Sequence, residues 1–204
     1  MNATNKKIIG DTLVDVKFSG IQWKLDEGFF YSSYDKPKGS ELSDMTDQHK
    51  LYYHKLGTKQ SEDILVYGGE NDQKHRYVGA KVSDNGKYLF ISASKTTSGN
   101  ISFLKDLNLN LKPSPLIRVD ENYQPDSYLL HSDGEKLYIV TNSKAPNQKL
   151  IVVNARKPQE KYWKDFIPEG KYVLSPTAGG GYFFARYIAD VITKVIQYDM
   201  DGVN

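Results

Sequence analysis

The sequence contains no cysteine among its 204 residues. This absence excludes a disulfide framework, a thiolate nucleophile and a cysteine metal site. It leaves the cellular compartment open, because a chain without cysteine is compatible with either the cytoplasm or the periplasm.

Excess charge of one sign and long apolar runs are also missing. The 27 basic residues nearly balance the 25 acidic ones, for a net charge of +2, and no basic run indicates a nucleic-acid partner. The apolar runs are far shorter than the roughly 20 residues that span a bilayer, so we expect no membrane partner. Residues Met1 to Lys7 are polar and lack the apolar core of a signal peptide.

What the sequence does contain is an internal repeat. A glycine-containing turn followed by an apolar, aromatic segment recurs four times, at Gly28, Gly86, Gly134 and Gly181, with spacings of 58, 48 and 47 residues. A second apolar segment repeats in step with the first and begins at Leu51, Ile101, Leu150 and Val195, with spacings of 50, 49 and 45 residues. Two markers that share one period indicate repeated structural units.

Each repeat unit accommodates about four short strands. A strand is predicted before each turn, at Ile21 to Trp23, Ala80 to Val82, Tyr128 to Leu130 and Tyr172 to Leu174. Closing strands are predicted at Asp63 to Tyr67, Leu116 to Val119 and Trp163 to Ile167. Helical periodicity is nearly absent. Two segments, Ser61 to Leu65 and Lys157 to Lys161, hint at a helical turn, but we expect both to be loops.

Four short strands per unit of about 45 to 50 residues are typical of β-propeller blades. A β-sandwich is the competing interpretation, but sandwich strands do not normally repeat at so fixed a period. We therefore expect an all-β fold with about four blades of four-stranded antiparallel sheet. The expected blades cover approximately residues 16–76, 77–124, 125–170 and 171–204, after a leader or a strand of a preceding blade at residues 1–15. The fourth blade lacks a last strand, which predicts a segment of a larger propeller with exposed sheet faces.

The sequence shows no catalytic constellation, and we expect no catalytic residue, metal site or cofactor within it. Three of the four histidines fall in the first unit and His131 falls in the third, without metal-ligand spacing, and no G-x-S-x-G nucleophile elbow occurs. The run Gly179-Gly180-Gly181 lacks the Lys-Ser/Thr of a phosphate loop and occupies the turn position of the repeat. One polar insertion, from Asp35 to Gln48, lengthens the first unit, either as a tolerated surface loop or as a gating loop.

Particular residues also carry a family likeness. The stretch Val16-Lys17-Phe18-Ser19-Gly20-Ile21-Gln22-Trp23, the strand Gly28-Phe29-Phe30-Tyr31 and the run from Lys50 to Asp63 resemble the propeller of prolyl oligopeptidases. The most specific part is His54-Lys55-Leu56-Gly57-Thr58-Lys59-Gln60-Ser61-Glu62-Asp63. Weaker similarity continues to about Gly202, so it covers nearly the whole chain.

The resemblance implies the rest of the functional expectation. In that family a seven-bladed propeller caps a C-terminal α/β-hydrolase domain, which carries the serine, aspartate and histidine and cleaves short peptides after proline. The partners implied are that hydrolase domain and short proline-containing peptides. By resemblance, Phe18 and Thr177 match positions near the substrate, and the insertion matches a loop that influences access. The alternative is a stand-alone propeller that scaffolds protein–protein contacts.

Overall fold

A computed structural model of the chain describes residues 4–6, 10–34, 48–70, 73–109, 111, 115–120 and 122–204. These residues contain strands and short 3-10 turns, among them Gln60–Glu62 and Glu160–Tyr162, but no α-helix. Contacts divide the chain into two compact units, Met1–Ala80 and Lys81–Asn204. The strands are β1 (Gln22–Lys24), β2 (Gly28–Tyr34), β3 (His49–Lys55), β4 (Ile64–Tyr67), β5 (Tyr77–Val82), β6 (Tyr88–Ser94), β7 (Ile101–Asp106), β8 (Ile117–Arg118), β9 (Ser127–Asp133), β10 (Lys136–Thr141), β11 (Lys149–Asn154), β12 (Lys164–Ile167), β13 (Ser175–Gly179), β14 (Tyr182–Ala189) and β15 (Ile192–Tyr198).

The strands form four sheets in chain order. The first three sheets have four strands each, ordered β1-β2-β3-β4, β5-β6-β7-β8 and β9-β10-β11-β12, and the fourth has three, ordered β13-β14-β15. Neighbouring strands in each sheet follow one another along the chain and pair antiparallel. The expected all-β architecture, with four-stranded repeats and a shorter fourth sheet, is confirmed.

The glycine run 179–181 makes a hairpin turn, as predicted, but the strand before it was placed wrongly. Gly180 and Gly181 have φ values of +60° and +79°, the left-handed conformation that a two-residue hairpin turn favours. Gly179 instead pairs with Tyr182 as the last residue of β13. Because the turn has only two residues, the strand runs directly into it, and the predicted strand at Tyr172 to Leu174 lies just before β13.

The two segments predicted as loops, Ser61 to Leu65 and Lys157 to Lys161, each overlap a 3-10 turn, at Gln60–Glu62 and Glu160–Tyr162. Both turns close on a hydrogen bond from the backbone N–H of the following residue, Asp63 or Trp163, to the carbonyl of the first. Each precedes the last strand of its sheet, so the turn belongs to the repeated unit. A turn of three residues is too short to show helical periodicity, which is why the pattern missed it.

The third sheet is buried on both faces. On one face, residues of β10 and β11 pack with Phe90 and Leu104 of the second sheet; on the other, Tyr138 and Val140 pack with Phe183 of the fourth sheet. Alternate residues of a strand point to opposite faces, so the continuous run Leu137-Tyr138-Ile139-Val140 supplies both clusters. The third sheet therefore lies at the centre of the hydrophobic core of the unit Lys81–Asn204.

Candidate functional site: Phe18 and its supports

Phe18 is an exposed aromatic side chain held in an unusual backbone conformation. It lies in the irregular segment before β1, 60% of its surface is exposed, and its φ is +54°. A non-glycine residue with positive φ is strained, and such strain persists where the surroundings over-determine it. The Tyr77 ring meets the Phe18 ring edge to face with centroids 5.9 Å apart, and the Lys17 ammonium lies 5.3 Å from the Phe18 ring centroid.

Two serines of β2 anchor the segment that carries Phe18. The hydroxyl of Ser33 donates to the Asp15 carbonyl at 2.9 Å, and the backbone N–H of Ser32 donates to the Ser19 hydroxyl oxygen at 2.7 Å. Ser32 and Ser33 are themselves buried. The segment is therefore attached to the sheet on both sides of Phe18.

His49, the first residue of β3, makes a third attachment. Its ring is almost wholly buried and bridges two backbone groups. Nδ1 lies 2.9 Å from the Val78 nitrogen, and Nε2 lies 3.2 Å from the Lys17 carbonyl oxygen. Burial lowers the pKa of His49 below its ordinary value, although the hydrogen bond to the Lys17 carbonyl partly opposes the shift. The histidine is therefore held neutral between the Phe18 segment and the start of β5.

His54, Asp63 and Tyr31 form a second buried cluster in the first sheet. His54 Nδ1 lies 2.7 Å from one carboxylate oxygen of Asp63, and the Tyr31 hydroxyl donates to the other at 2.7 Å. The side chains of His54 and Asp63 are 1% and 2% exposed. Burial, followed by the hydrogen bond to Asp63, raises the pKa of Tyr31. The carboxylate thus ties β2 and β3 to the turn before β4.

This cluster explains much of the most specific sequence run. Asp63 ends the run as the buried acceptor, while the Gln60 side chain receives the Val14 N–H and donates to the Val14 carbonyl, both at 3.0 Å. The Glu62 carboxylate accepts the Lys59 N–H at 3.2 Å, and Gly57 has a φ of +78°. The run therefore has a structural role: it fixes the connection between β3 and β4, which contains the 3-10 turn Gln60–Glu62, and its Gln60 side chain holds Val14 in the segment before Phe18.

Thr177, the other predicted substrate-proximal residue, lies in β13. It is exposed and pairs with Phe184 of β14. It belongs to the unit Lys81–Asn204, whereas Phe18 belongs to the unit Met1–Ala80. Of the predicted loop Asp35 to Gln48, all but Gln48 lies outside the described residues.

The described part of the chain offers neither a metal cluster nor a membrane-spanning helix. It holds no group of three or more His, Cys, Asp or Glu side chains placed to bind a metal ion. None of its helical segments has the length and apolar character needed to cross a membrane.

Sequence reasoning did not identify His49 as a support of Phe18. Its partners Lys17 and Val78 are 32 and 29 residues away along the chain, so no local pattern links them. His54 packs within β3, and its carboxylate partner Asp63 was likewise not identified from the sequence. The sequence signal that could have indicated this pair was a histidine, His54, inside an apolar strand, followed by Asp63 at the end of a polar run.

The repeated antiparallel sheets define the chain as a β-propeller protein, and the comparisons narrow this class. A family model described as the N-terminal β-propeller domain of prolyl oligopeptidase matches residues 1–204. The chain belongs to the prolyl oligopeptidase family.

Curated relatives show the same likeness over the full chain. It is 48% identical over 203 residues to a prolyl endopeptidase of Elizabethkingia meningoseptica, and 45% identical over 203 residues to one of Elizabethkingia miricola. Each match covers 99% of this chain and 28% of the relative. The chain therefore spans less than a third of the length of these relatives.

Solved structures give the corresponding likeness in three dimensions. One, from a study of two prolyl endopeptidases, matches with a TM-score of 0.83 and 27% identity, over 96% of this chain and 28% of the other. Another, prolyl oligopeptidase B from Galerina marginata bound to a peptide substrate, matches with a TM-score of 0.79 and 32% identity, over 93% of this chain and 26% of the other.

Proposed function

We propose that this chain is the propeller segment of a serine endopeptidase that cleaves short peptides after proline. The observation that carries the proposal is the 48% identity, spread over 99% of the chain, to a protein named prolyl endopeptidase. The reacting groups belong, in this proposal, to a C-terminal α/β-hydrolase domain of the same parent chain. The propeller restricts entry to small, unstructured peptides and contributes side chains that contact them.

Phe18 is the first such side chain. An aromatic residue that is 60% exposed yet strained and anchored on both sides is placed for contact with something other than its own sheet. Its exposed face offers apolar surface to the side chain or proline ring of a bound peptide. Its proximity to the substrate is expected from the family resemblance, and its anchoring supports that role.

Thr177 is the second side chain that contacts the peptide in this proposal. It is exposed in the first strand of the fourth sheet, where its hydroxyl can donate to or accept from a peptide backbone. A stand-alone scaffold remains the alternative function, but none of the described contacts favours it over the peptidase.

The test is cleavage by the full-length protein that contains this sequence. We expect it to cut a short peptide on the carboxyl side of proline and to leave a matched peptide with alanine in place of that proline intact. A serine-directed phosphonofluoridate should abolish the activity. Failure of the purified, folded protein to cleave after proline would exclude the peptidase and leave the scaffold.

A further inference from the structure

The supports of Phe18 converge on His49. We propose that His49 is a positioning residue that holds Phe18 in its substrate-facing conformation through a neutral imidazole with its proton on Nε2. Because the readout is substrate binding, this inference rests on the proposed function. It adds a specificity-determining residue outside the segment that contacts the substrate.

The tautomer follows from the two partners. The Val78 backbone N–H can only donate, so the Nδ1 that faces it at 2.9 Å carries no proton. The Lys17 carbonyl can only accept, so the Nε2 that faces it at 3.2 Å carries the proton. A doubly protonated ring would direct Nδ1–H against the Val78 N–H. Only the neutral ring makes both hydrogen bonds.

The two hydrogen bonds act directly on Phe18 and on its ring partner. The Lys17 carbonyl belongs to the peptide group that joins Lys17 to Phe18, so fixing this carbonyl orients the plane from which the positive φ of Phe18 departs. Val78 follows Tyr77, whose ring packs on Phe18 at 5.9 Å. One buried ring thus holds both the strained backbone and the aromatic neighbour.

The surroundings of the His49 ring oppose its protonation. Tyr34 lies opposite on β2, with its ring 6.2 Å from that of His49, and the Lys17 ammonium lies 6.0 Å from the Tyr34 ring. On the other side, the His75 carbonyl accepts the backbone N–H of His49, and the His75 ring lies beside the Tyr67 ring. Burial lowers the pKa of His49, which keeps the bridge intact at neutral pH.

The direction of the pH effect follows from this lowered pKa. A histidine with a folded pKa below its ordinary value stabilises the folded arrangement above that ordinary value. The stabilisation is lost as the pH falls from the ordinary value towards the lowered one. Acid is therefore expected to release the Phe18 segment.

Two variants of the full-length enzyme separate positioning from general stability. In His49→Gln, the amide oxygen can accept from Val78 and the amide NH₂ can donate to Lys17, at any pH. In His49→Leu, both backbone groups lose their partner. His54→Gln is the matched control, since His54 is equally buried in the same strand but pairs with Asp63 rather than with the Phe18 segment.

The kinetic measurement is kcat and KM for a short post-proline substrate at pH 7.5 and pH 5.5. At pH 7.5 we expect His49→Leu to raise KM roughly tenfold, with a smaller change in kcat, and the Gln variant and the His54→Gln control to keep the KM near that of the parent enzyme. At pH 5.5 KM should rise for the parent enzyme but not for His49→Gln. An unchanged KM in His49→Leu, or an equal acid rise in His49→Gln, would overturn the proposal.

Amide hydrogen exchange of residues 15–20, followed by mass spectrometry, gives a readout that needs no activity. At pH 5.5 this segment should exchange faster in the parent protein than in His49→Gln, and at pH 7.5 the two should match. Equal protection at pH 5.5 would overturn the role of His49 whatever the protein cleaves. Absence of post-proline cleavage with the expected exchange pattern would instead refute the proposed function alone.

Discussion

The third and fourth sheets show how the same repeated unit behaves with two packed faces and with one. In the third sheet, Leu137, Tyr138, Ile139 and Val140 are all buried. In the fourth sheet, Phe183 and Ala185 are fully buried. On its opposite face, Ile188 and Val195 are 67% and 58% exposed.

The difference lies in packing, since the strands of both sheets pair in the same antiparallel way. In the third sheet, each side of β10 meets a separate cluster, so every position of the run contributes to a core. In the fourth sheet, only the face that carries Phe183 and Ala185 joins a cluster. An apolar residue is therefore worth much more to stability in the third sheet than on the open face of the fourth.

Val140→Ala and Val195→Ala make the same chemical change in the two sheets and so test whether their apolar side chains contribute differently to stability. Val140 is fully buried, so its truncation removes two methyl groups from a packed core and should lower the free energy of unfolding by about 2 kcal/mol. Truncation of the exposed Val195 should change it by less than about 0.5 kcal/mol. Urea denaturation of the 204-residue chain measures both losses; equal losses would show that the two faces are packed alike.

Substitutions in the hairpin turns of the same two sheets should have equal effects, because the strain of a turn is local and does not depend on how the sheet is packed. Gly134 and Gly180 have φ values of +57° and +60°, and a Cβ at either position would meet no other atom within 4 Å. Gly134→Ala and Gly180→Ala should each cost about 1 kcal/mol from the left-handed backbone alone. The same denaturation series checks this. A clearly larger loss in one sheet would mean that packing also acts at the turns.

The contact around Asp84 shows that the third sheet packs differently against the second sheet and against the fourth sheet. Its carboxylate accepts the Ser132 N–H at 2.8 Å and the Ser132 hydroxyl at 3.0 Å, and lies 3.0 Å from His131 Nδ1. Burial acts to raise the pKa of Asp84, but these contacts and Lys81 outweigh it, so the pKa is lowered. The contact towards the fourth sheet is aromatic instead, with the Tyr138 and Phe183 rings 4.6 Å apart.

Asp84→Asn is expected to have a small effect on the free energy of unfolding, and the effect should depend on pH. Because the folded pKa is lowered, the carboxylate stabilises the fold above its ordinary pKa, and this contribution is lost as the pH falls towards the lowered value. The side chain is 53% exposed, so solvent screening limits the loss at pH 7 to less than about 1 kcal/mol. Unfolding midpoints at pH 7 and pH 3 should converge for the two proteins in acid; a constant difference would assign the loss to packing.

The repeat made most of the fold predictable, because turn glycines and apolar strands recur at a fixed spacing. The strand before Gly179 was misplaced since all three glycines were assigned to the turn, whereas only Gly180 and Gly181 form it. The 3-10 turns were interpreted as loops, because a turn of three residues is too short to show a helical period. The supports of Phe18 could not be predicted, since they depend on backbone groups of Lys17 and Val78 that become neighbours only after the sheet forms.

The most direct test of the account is the effect of Phe18→Ala in the proposed full-length endopeptidase on the cleavage of peptides of different length. If Phe18 contacts the peptide, its removal should raise KM for longer proline-containing peptides more than for dipeptide substrates, because longer peptides extend further across the propeller side. Steady-state kinetics on a matched peptide series measures the ratio. Equal increases for short and long peptides, or no increase for either, would contradict a substrate-facing role for Phe18.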